Sequence, residues 1–279
     1  MARQAQPPWL HAEVARRMAQ RLEIVRLQPT TVLECWGYTG ASGELLAAAY
    51  PKARRIVVEP NDALLRRSLA AAQGPWWSAR RRARPIEVRR DDPAPGTVQL
   101  LWANMMLHAV SDPPDLLARW QRVLAVDGFV MFSCLGPDTL RELRELYRRL
   151  GWPPAAPEFV DMHDLGDMLV QAGFSDPVMD QEQLTLTWDS PQALLAELRS
   201  LGSNAAPARW PGLRTPRWRE RLQVALQSLG GPDGRLRSSF EIVYGHAFKA
   251  TPRVPVRDET AVTLEDMRTL MRSSRGPRR

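Results

Sequence analysis

The residues with the clearest chemical potential in this chain are two glycines and a carboxylate. Residues 31–40, TVLECWGYTG, run from an apolar stretch (Thr31, Val32, Leu33) into a turn marked by Gly37 and Gly40. ASGELLAAAY follows, and then RRIVVEP, which closes on Glu59. The order is strand, loop, helix, strand. A short apolar run bounded by turn residues fits a strand covered on both faces, and the glycines feed a helix carrying Leu45, Leu46 and Ala49. A helix N-terminus offers unpaired backbone N–H groups to an anionic group such as a carboxylate. An acid about 20 residues farther on can accept hydrogen bonds from ribose hydroxyls, and Glu59 is that acid. Any parallel α/β protein can open this way, so the loop alone fixes no activity.

A second group lies at the end of VQLLWA (98–103), a further buried strand. Ligands of open parallel sheets bind outside the carboxyl ends of the strands, so Asn104, Met105, Leu107 and His108 are placed to face a cofactor and an acceptor. His108 can contact an acceptor carboxylate or serve as a satisfied structural histidine. His163 sits among Asp161, Asp164 and Asp167, residue types that bind metals. Acids also decorate a helix start for electrostatic reasons, and no metal site is expected.

The elements that must position these groups are readable in order. Leu10, Val14, Met18 and Leu22 repeat at helical spacing before the first strand, with His11 on the same helix. Asn61 or Asp62 can cap a helix through Leu69 that ends near Gly74, and 86–88 form a short strand before Asp91 and Asp92. Asp112 caps a helix with Pro113 at its first position, and Asp127 and Gly128 turn the chain into FVMFSC, a fifth strand. Asp138 is expected to cap a helix to Leu150. A helix over 164–172 stops at Gly173, a strand follows through Val178, and 184–188 alternate as another strand. Ser190 and Thr215 cap two helices with stops at Gly202 and Gly230, and 238–249 form the last strand.

The 279 residues suffice for one large core. The net charge of +7 is carried almost wholly by arginine, since Lys52 and Lys249 are the two lysines. A basic balance favours an acidic partner. The densest run, Arg80, Arg81, Arg82 and Arg84 beside Trp76 and Trp77, has no nucleic-acid motif with it, and no nucleic-acid partner is expected. Cys35 and Cys134 fall in buried strands and read as small core residues of a reducing compartment. The N-terminus lacks a signal-like apolar core and no run approaches the length of a membrane span, so a soluble, cytoplasmic protein is expected; a monomer is expected as well.

The loop belongs to a longer pattern. Residues 135–143 give a Leu exit from the fifth strand and a Leu-x-Glu-Leu helix. Residues 159–174 spell F-x-x-x-D-L-x-x-x-L-x-x-A-G-F, and residues 198–205 read LRSLGSNA. With NMMLHAVSD after the fourth strand, these segments resemble class I S-adenosylmethionine-dependent methyltransferases. They resemble in particular the malonyl-acyl-carrier-protein O-methyltransferases of biotin synthesis, over about residues 10–249. The relatives of that family include a mitochondrial complex I assembly factor described as an arginine hydroxylase, but no iron-ligand pattern accompanies the likeness here. The family loop D-x-G-x-G-x-G falls on Glu34, Cys35, Trp36, Gly37, Tyr38, Thr39 and Gly40, so Trp36 and Tyr38 stand at family glycines.

The resemblance implies an α/β, Rossmann-like, mostly parallel seven-stranded sheet with helices on both faces. It implies one domain over 1–250 with a helical acceptor-side insert at about 190–237; beyond the resemblance, the residues of 251–279 read as a tail, partly mobile, with a short helix over 264–271. It implies S-adenosyl-L-methionine as cofactor, held by Glu34, Gly37, Tyr38, Gly40, Glu59, Asn104 and an acid beside adenine, Asp92 or its neighbour Asp91. The implied acceptor is the malonyl carboxylate on an acyl carrier protein, with His108 and Arg199 as candidates to hold it. The alternative is a binding or assembly protein on the same scaffold that has lost normal cofactor binding.

Overall fold

The computed structural model describes residues 6–73 and 86–251. The arginine run at 80–84, the helix stop at Gly74 and the helix expected at 264–271 lie outside the described residues. The strands are β1 (Thr31–Cys35), β2 (Arg54–Val58), β3 (Ile86–Arg89), β4 (Val98–Ala103), β5 (Leu124–Leu135), β6 (Ser175–Trp188) and β7 (Leu236–Phe248). They form one sheet in the order β3-β2-β1-β4-β5-β7-β6. All neighbours are parallel except that β7 runs antiparallel to both β5 and β6. The order reverses between β1 and β4. There the connections depart to opposite sides and leave a crevice at the strand ends.

The helices are α1 (Trp9–Gln20), α2 (Gly43–Ala49), α3 (Asp62–Gln73), α4 (Pro113–Val123), α5 (Arg141–Arg149), α6 (Met162–Gln171), α7 (Pro191–Leu201) and α8 (Pro216–Gln227). Strand periodicity divides the core in two. In β4, Leu100 and Trp102 join a cluster with Leu10, Val14 and Met18 of α1, and with Leu194 and Leu222 of α7 and α8. Leu101 and Ala103 join the opposite cluster, with Leu117 and Trp120 of α4 and Leu165 and Leu169 of α6. Residues two apart share a face, so VQLLWA reads as one apolar run because both faces are covered.

The helix starts follow their caps. Asn61 Oδ1 accepts from Leu64 N–H, and Asp112, Ser190 and Thr215 cap α4, α7 and α8. Three expectations are revised. Helix α6 starts at Met162, because Asp161 is its cap and accepts from His163 N–H at 2.8 Å. Asp138 does not cap α5: its N–H donates to Glu241 Oε2 at 2.7 Å, and Leu140, at φ 58°, precedes the helix. The two strands expected around Val178 and 184–188 are one continuous β6, paired with β7 out to Trp188. Pro177 falls where the register shifts between Ser175 and Val178, at the sheet edge, where a missing N–H is tolerated.

Gly245 of β7 stands opposite Phe132 of β5. A Cβ at Gly245 would come within 2.4 Å of Phe132 Cζ, so the phenyl ring lies across the space a side chain would take. Gly245→Ala should therefore destabilise by about 2 kcal/mol through overpacking, read from urea denaturation, and Phe132→Leu in the same chain should recover part of the loss. A change within experimental error would contradict this packing.

Candidate active site at the carboxyl ends of the central strands

The loop after β1 carries non-glycine residues at two left-handed positions, Trp36 and Ala41. Trp36 takes the left-handed conformation, φ 53° and ψ 46°, and its N–H donates to Val58 O at 2.7 Å. A non-glycine residue there costs roughly 1 kcal/mol, and burial of its side chain against the α4–α6 side of the core offsets that cost. Residues Gly37–Gly40 form one helical turn. A Cβ on Gly37 would lie 2.8 Å from Val57 Cγ1 and 3.1 Å from Glu34 Cδ, so β2 and Glu34, rather than a ligand, demand a glycine there. Glu34 is buried and pairs with Arg55 at 3.0 Å; burial pushes its carboxyl upward and Arg55 opposes that.

Tyr38 lies inside the helical turn with ordinary φ. Its ring sits beside Arg67 of α3, whose guanidinium carbon is 5.5 Å from the ring centroid. Its backbone N–H donates to Glu59 Oε1 at 2.7 Å, and Ser68 of α3 donates to the same oxygen at 2.6 Å. Glu59 is 0 % exposed. Burial raises its carboxyl above the usual range, while Ser68 and the Tyr38 N–H oppose the shift. The other oxygen, Oε2, is shielded from water with no donor. A buried acceptor without a partner is costly. A hydrogen-bond donor would satisfy it, and a ribose hydroxyl is a donor that fits an acid at the end of the second strand.

Asn104 follows β4 and is 1 % exposed. Its Nδ2 donates to His11 O at 2.8 Å and to Gly40 O at 2.7 Å, and its Oδ1 accepts from Ser133 Oγ at 2.7 Å. Both amide hydrogens are thus used within the protein, and the side chain ties α1, the loop and β5 together. His11, 1 % exposed, must donate from Nδ1, since its partner at 2.8 Å is the carbonyl of Thr39. Burial lowers its pKa to about 4.

His108 has the opposite tautomer. Leu135 N–H donates to its Nδ1 at 3.3 Å, so the ring hydrogen sits on Nε2. Burial first, and then His11, lower its pKa to about 3. Near neutral pH it offers an N–H donor and no charge. Its ring packs edge-on to Phe159 with centroids 6.0 Å apart.

Hydrogen bonds therefore join Tyr38, Gly40, Glu59 and Asn104 to the same loop and its supports, with Glu34 and Gly37 packed beneath. Asp92 stands beyond β3, bonded to Arg119 of α4 at 2.9 Å, and Asp91 is exposed. Arg199 lies exposed in the last turn of α7, on the insert. Sequence reasoning missed Ser68, Ser133 and Arg55. Only Ser133, a hydroxyl inside the apolar run FVMFSC, carried a signal.

Comparison with known proteins bears on the whole arrangement. The chain is 38% identical over 259 residues, 91% of its length and 88% of the relative's, to a malonyl-[acyl-carrier protein] O-methyltransferase of Gallionella capsiferriformans. It is 38% identical over 251 residues, 88% of its length and 84% of the relative's, to the protein of the same name from Laribacter hongkongensis. The fold matches the crystal structure of the YcgJ protein from Bacillus subtilis with a TM-score of 0.58 at 11% identity, covering 86% of this chain and 99% of that one. No protein-family model matches.

Two outcomes follow from the site. Asn104→Ala strands two carbonyls and a hydroxyl in the interior and should cost about 3 kcal/mol of unfolding free energy; a loss under about 1 kcal/mol in urea denaturation would contradict the tie. The second concerns pH. The folded state holds His11 neutral to about pH 4, whereas the unfolded chain takes up a proton near 6.5. His11 therefore contributes stability that is complete above pH 6.5 and is lost as pH falls toward 4, about 2 kcal/mol between pH 7 and 5. Glu34 and Glu59, with raised values, act in the opposite sense. The readout is thus the difference between the parent chain and His11→Gln, whose stability should fall less on acidification.

Proposed function

We propose that this chain, which belongs to the malonyl-[acyl-carrier protein] O-methyltransferase family, methylates the free carboxylate of a malonyl group on acyl carrier protein, a step of biotin synthesis. S-adenosylmethionine, when bound, supplies an electrophilic sulfonium methyl group. The observation that carries the reading is Glu59 Oε2, a buried acceptor without a partner at the carboxyl end of β2, where a ribose hydroxyl would complete it. Asp92 is the acid suited to the adenine amino group. The turn at Gly37–Gly40 borders the same crevice, and its shape is held by Asn104 rather than by the ligand.

The acceptor makes modest demands. A malonyl carboxylate is ionised near neutral pH and is itself the nucleophile, so no general base is required. What the protein contributes is orientation and exclusion of water. A neutral His108 suits that task. Its Nε2–H can orient a carboxylate through one hydrogen bond without adding charge of its own. Arg199, on the insert, is a candidate for the second carboxylate contact.

The alternative of a repurposed scaffold rested on Trp36 and Tyr38. Trp36 adopts the left-handed conformation that suits a glycine, and the Tyr38 ring is turned toward Arg67. Neither feature requires that the loop has lost its cofactor.

The test is incubation of purified protein with S-adenosylmethionine and malonyl-acyl carrier protein, followed by intact-mass analysis of the carrier. One added methyl group is expected, sensitive to esterase. Glu59→Ala should raise the KM for S-adenosylmethionine by about tenfold or more, the worth of a hydrogen bond to a charged group. Absence of methyl ester from the parent chain, with folded protein and freshly loaded carrier, would contradict the proposal.

A further inference from the structure

Away from the crevice, the helical insert builds a second concavity. A cavity of about 360 Å³ opens between the α7–α8 connection, the first turn of α8 and the segment after α5. Tyr147, Asn204, Arg209, Trp210, Arg214 and Trp218 line it. The Arg214 guanidinium stacks on both indoles, 4.6 Å from the Trp210 ring centroid and 4.2 Å from that of Trp218. Trp218 packs on Trp152 at 5.6 Å and Trp152 on Tyr147 at 5.1 Å. Asn204 fastens the connection by donating from Nδ2 to Pro154 O at 2.8 Å. The walls are thus aromatic and braced from behind.

The donors in this cavity are not neutralised. Among the described residues neither Arg209 nor Arg214 pairs with a carboxylate. The indole N–H of Trp218 is shielded from water and has no acceptor. Planar guanidinium groups beside a further N–H are suited to the oxygens of a phosphate. The aromatic walls add a surface for apolar carbon attached to it.

A short stretch of chain runs from the cavity toward the crevice. Pro154 and Ala155 line the cavity, and the same stretch of chain reaches Phe159, against which His108 packs. Four residues of chain span at most about 14 Å. A phosphopantetheine arm has roughly a dozen bonds from its phosphate oxygen to its sulfur, equivalent to about four residues of backbone, and extends to about the same length.

We propose that this cavity seats the phosphodiester at the head of an acyl carrier protein's phosphopantetheine arm, so that the thioester end reaches the crevice beside His108. The proposal rests on the function proposed above. It places the recognition of the arm's anion on Arg209, Arg214 and Trp218, and the contact with its apolar carbons on Trp210 and Tyr147.

The test is calorimetric titration of the full chain with 4′-phosphopantetheine, pantetheine and inorganic phosphate in turn. Phosphopantetheine should bind about tenfold more tightly than either of the others, the effect of charge-assisted bonds to one group. That preference should shrink to within about twofold in Arg209→Ala, an exposed position, and in Arg209→Ala/Arg214→Ala. Equal binding of phosphopantetheine and pantetheine would overturn the proposal, as would a preference that survives in both variants. Inorganic phosphate binding as tightly as phosphopantetheine would reduce the site to a general anion pocket and overturn it too. Methyl transfer to malonyl-pantetheine, measured separately, reports on the reaction: its absence with the phosphate preference intact would sink the reaction and leave the anion site standing.

Discussion

The amide of Asn104 holds the crevice in shape. It donates to α1 through His11 O and to the loop through Gly40 O, and it accepts from β5 through Ser133. All three partners are buried, so leaving any of them unpaired would cost more than the bond itself is worth. His11 reinforces the tie from the other side by donating to Thr39 O. The loop is thereby pinned at Thr39 and Gly40 to elements on either side of β1. A rigid crevice is the requirement for a reaction whose catalysis is orientation.

That fixed frame explains how a loop without two family glycines keeps its course. Trp36 is held in a left-handed conformation by its N–H bond to Val58 and by the packing of its indole. Gly37 remains glycine because Val57 and Glu34 leave no space for a Cβ. The cost of Trp36 falls on folding rather than on ligand binding, since its conformation is set by the protein alone. Glu59 shows the converse: one oxygen serves the loop through Tyr38 and Ser68, and the other is left unsatisfied. Residues that pay in stability without a structural return mark where function is placed.

Much of the fold was legible because it is local. VQLLWA is a run of apolar residues since both faces of β4 are covered, and Asp112-Pro113, Ser190-Pro191 and Thr215-Pro216 announce their helices through cap chemistry. The continuity of β6 was not legible. Asp176 and Pro177 look like a break, and only pairing with β7 carries the strand past them. The site was legible in part. Glu59 and Asn104 follow from strand ends, but the use of Asn104 depends on partners far away in sequence. The charge of His108 depends on burial that no local pattern records. The contact of the Tyr38 ring with Arg67 of α3 is again a tertiary matter.

The central claim is that this loop, with Trp36 and Tyr38 in place, still forms a cofactor site around Glu59. Calorimetric titration of S-adenosylmethionine and S-adenosylhomocysteine into the unaltered chain, beside Tyr38→Gly, tests it most directly. The structure predicts saturable binding of both compounds by the unaltered chain, with little gain from Tyr38→Gly, because the ring already lies toward Arg67. No binding by the unaltered chain, with binding restored in Tyr38→Gly, would contradict it.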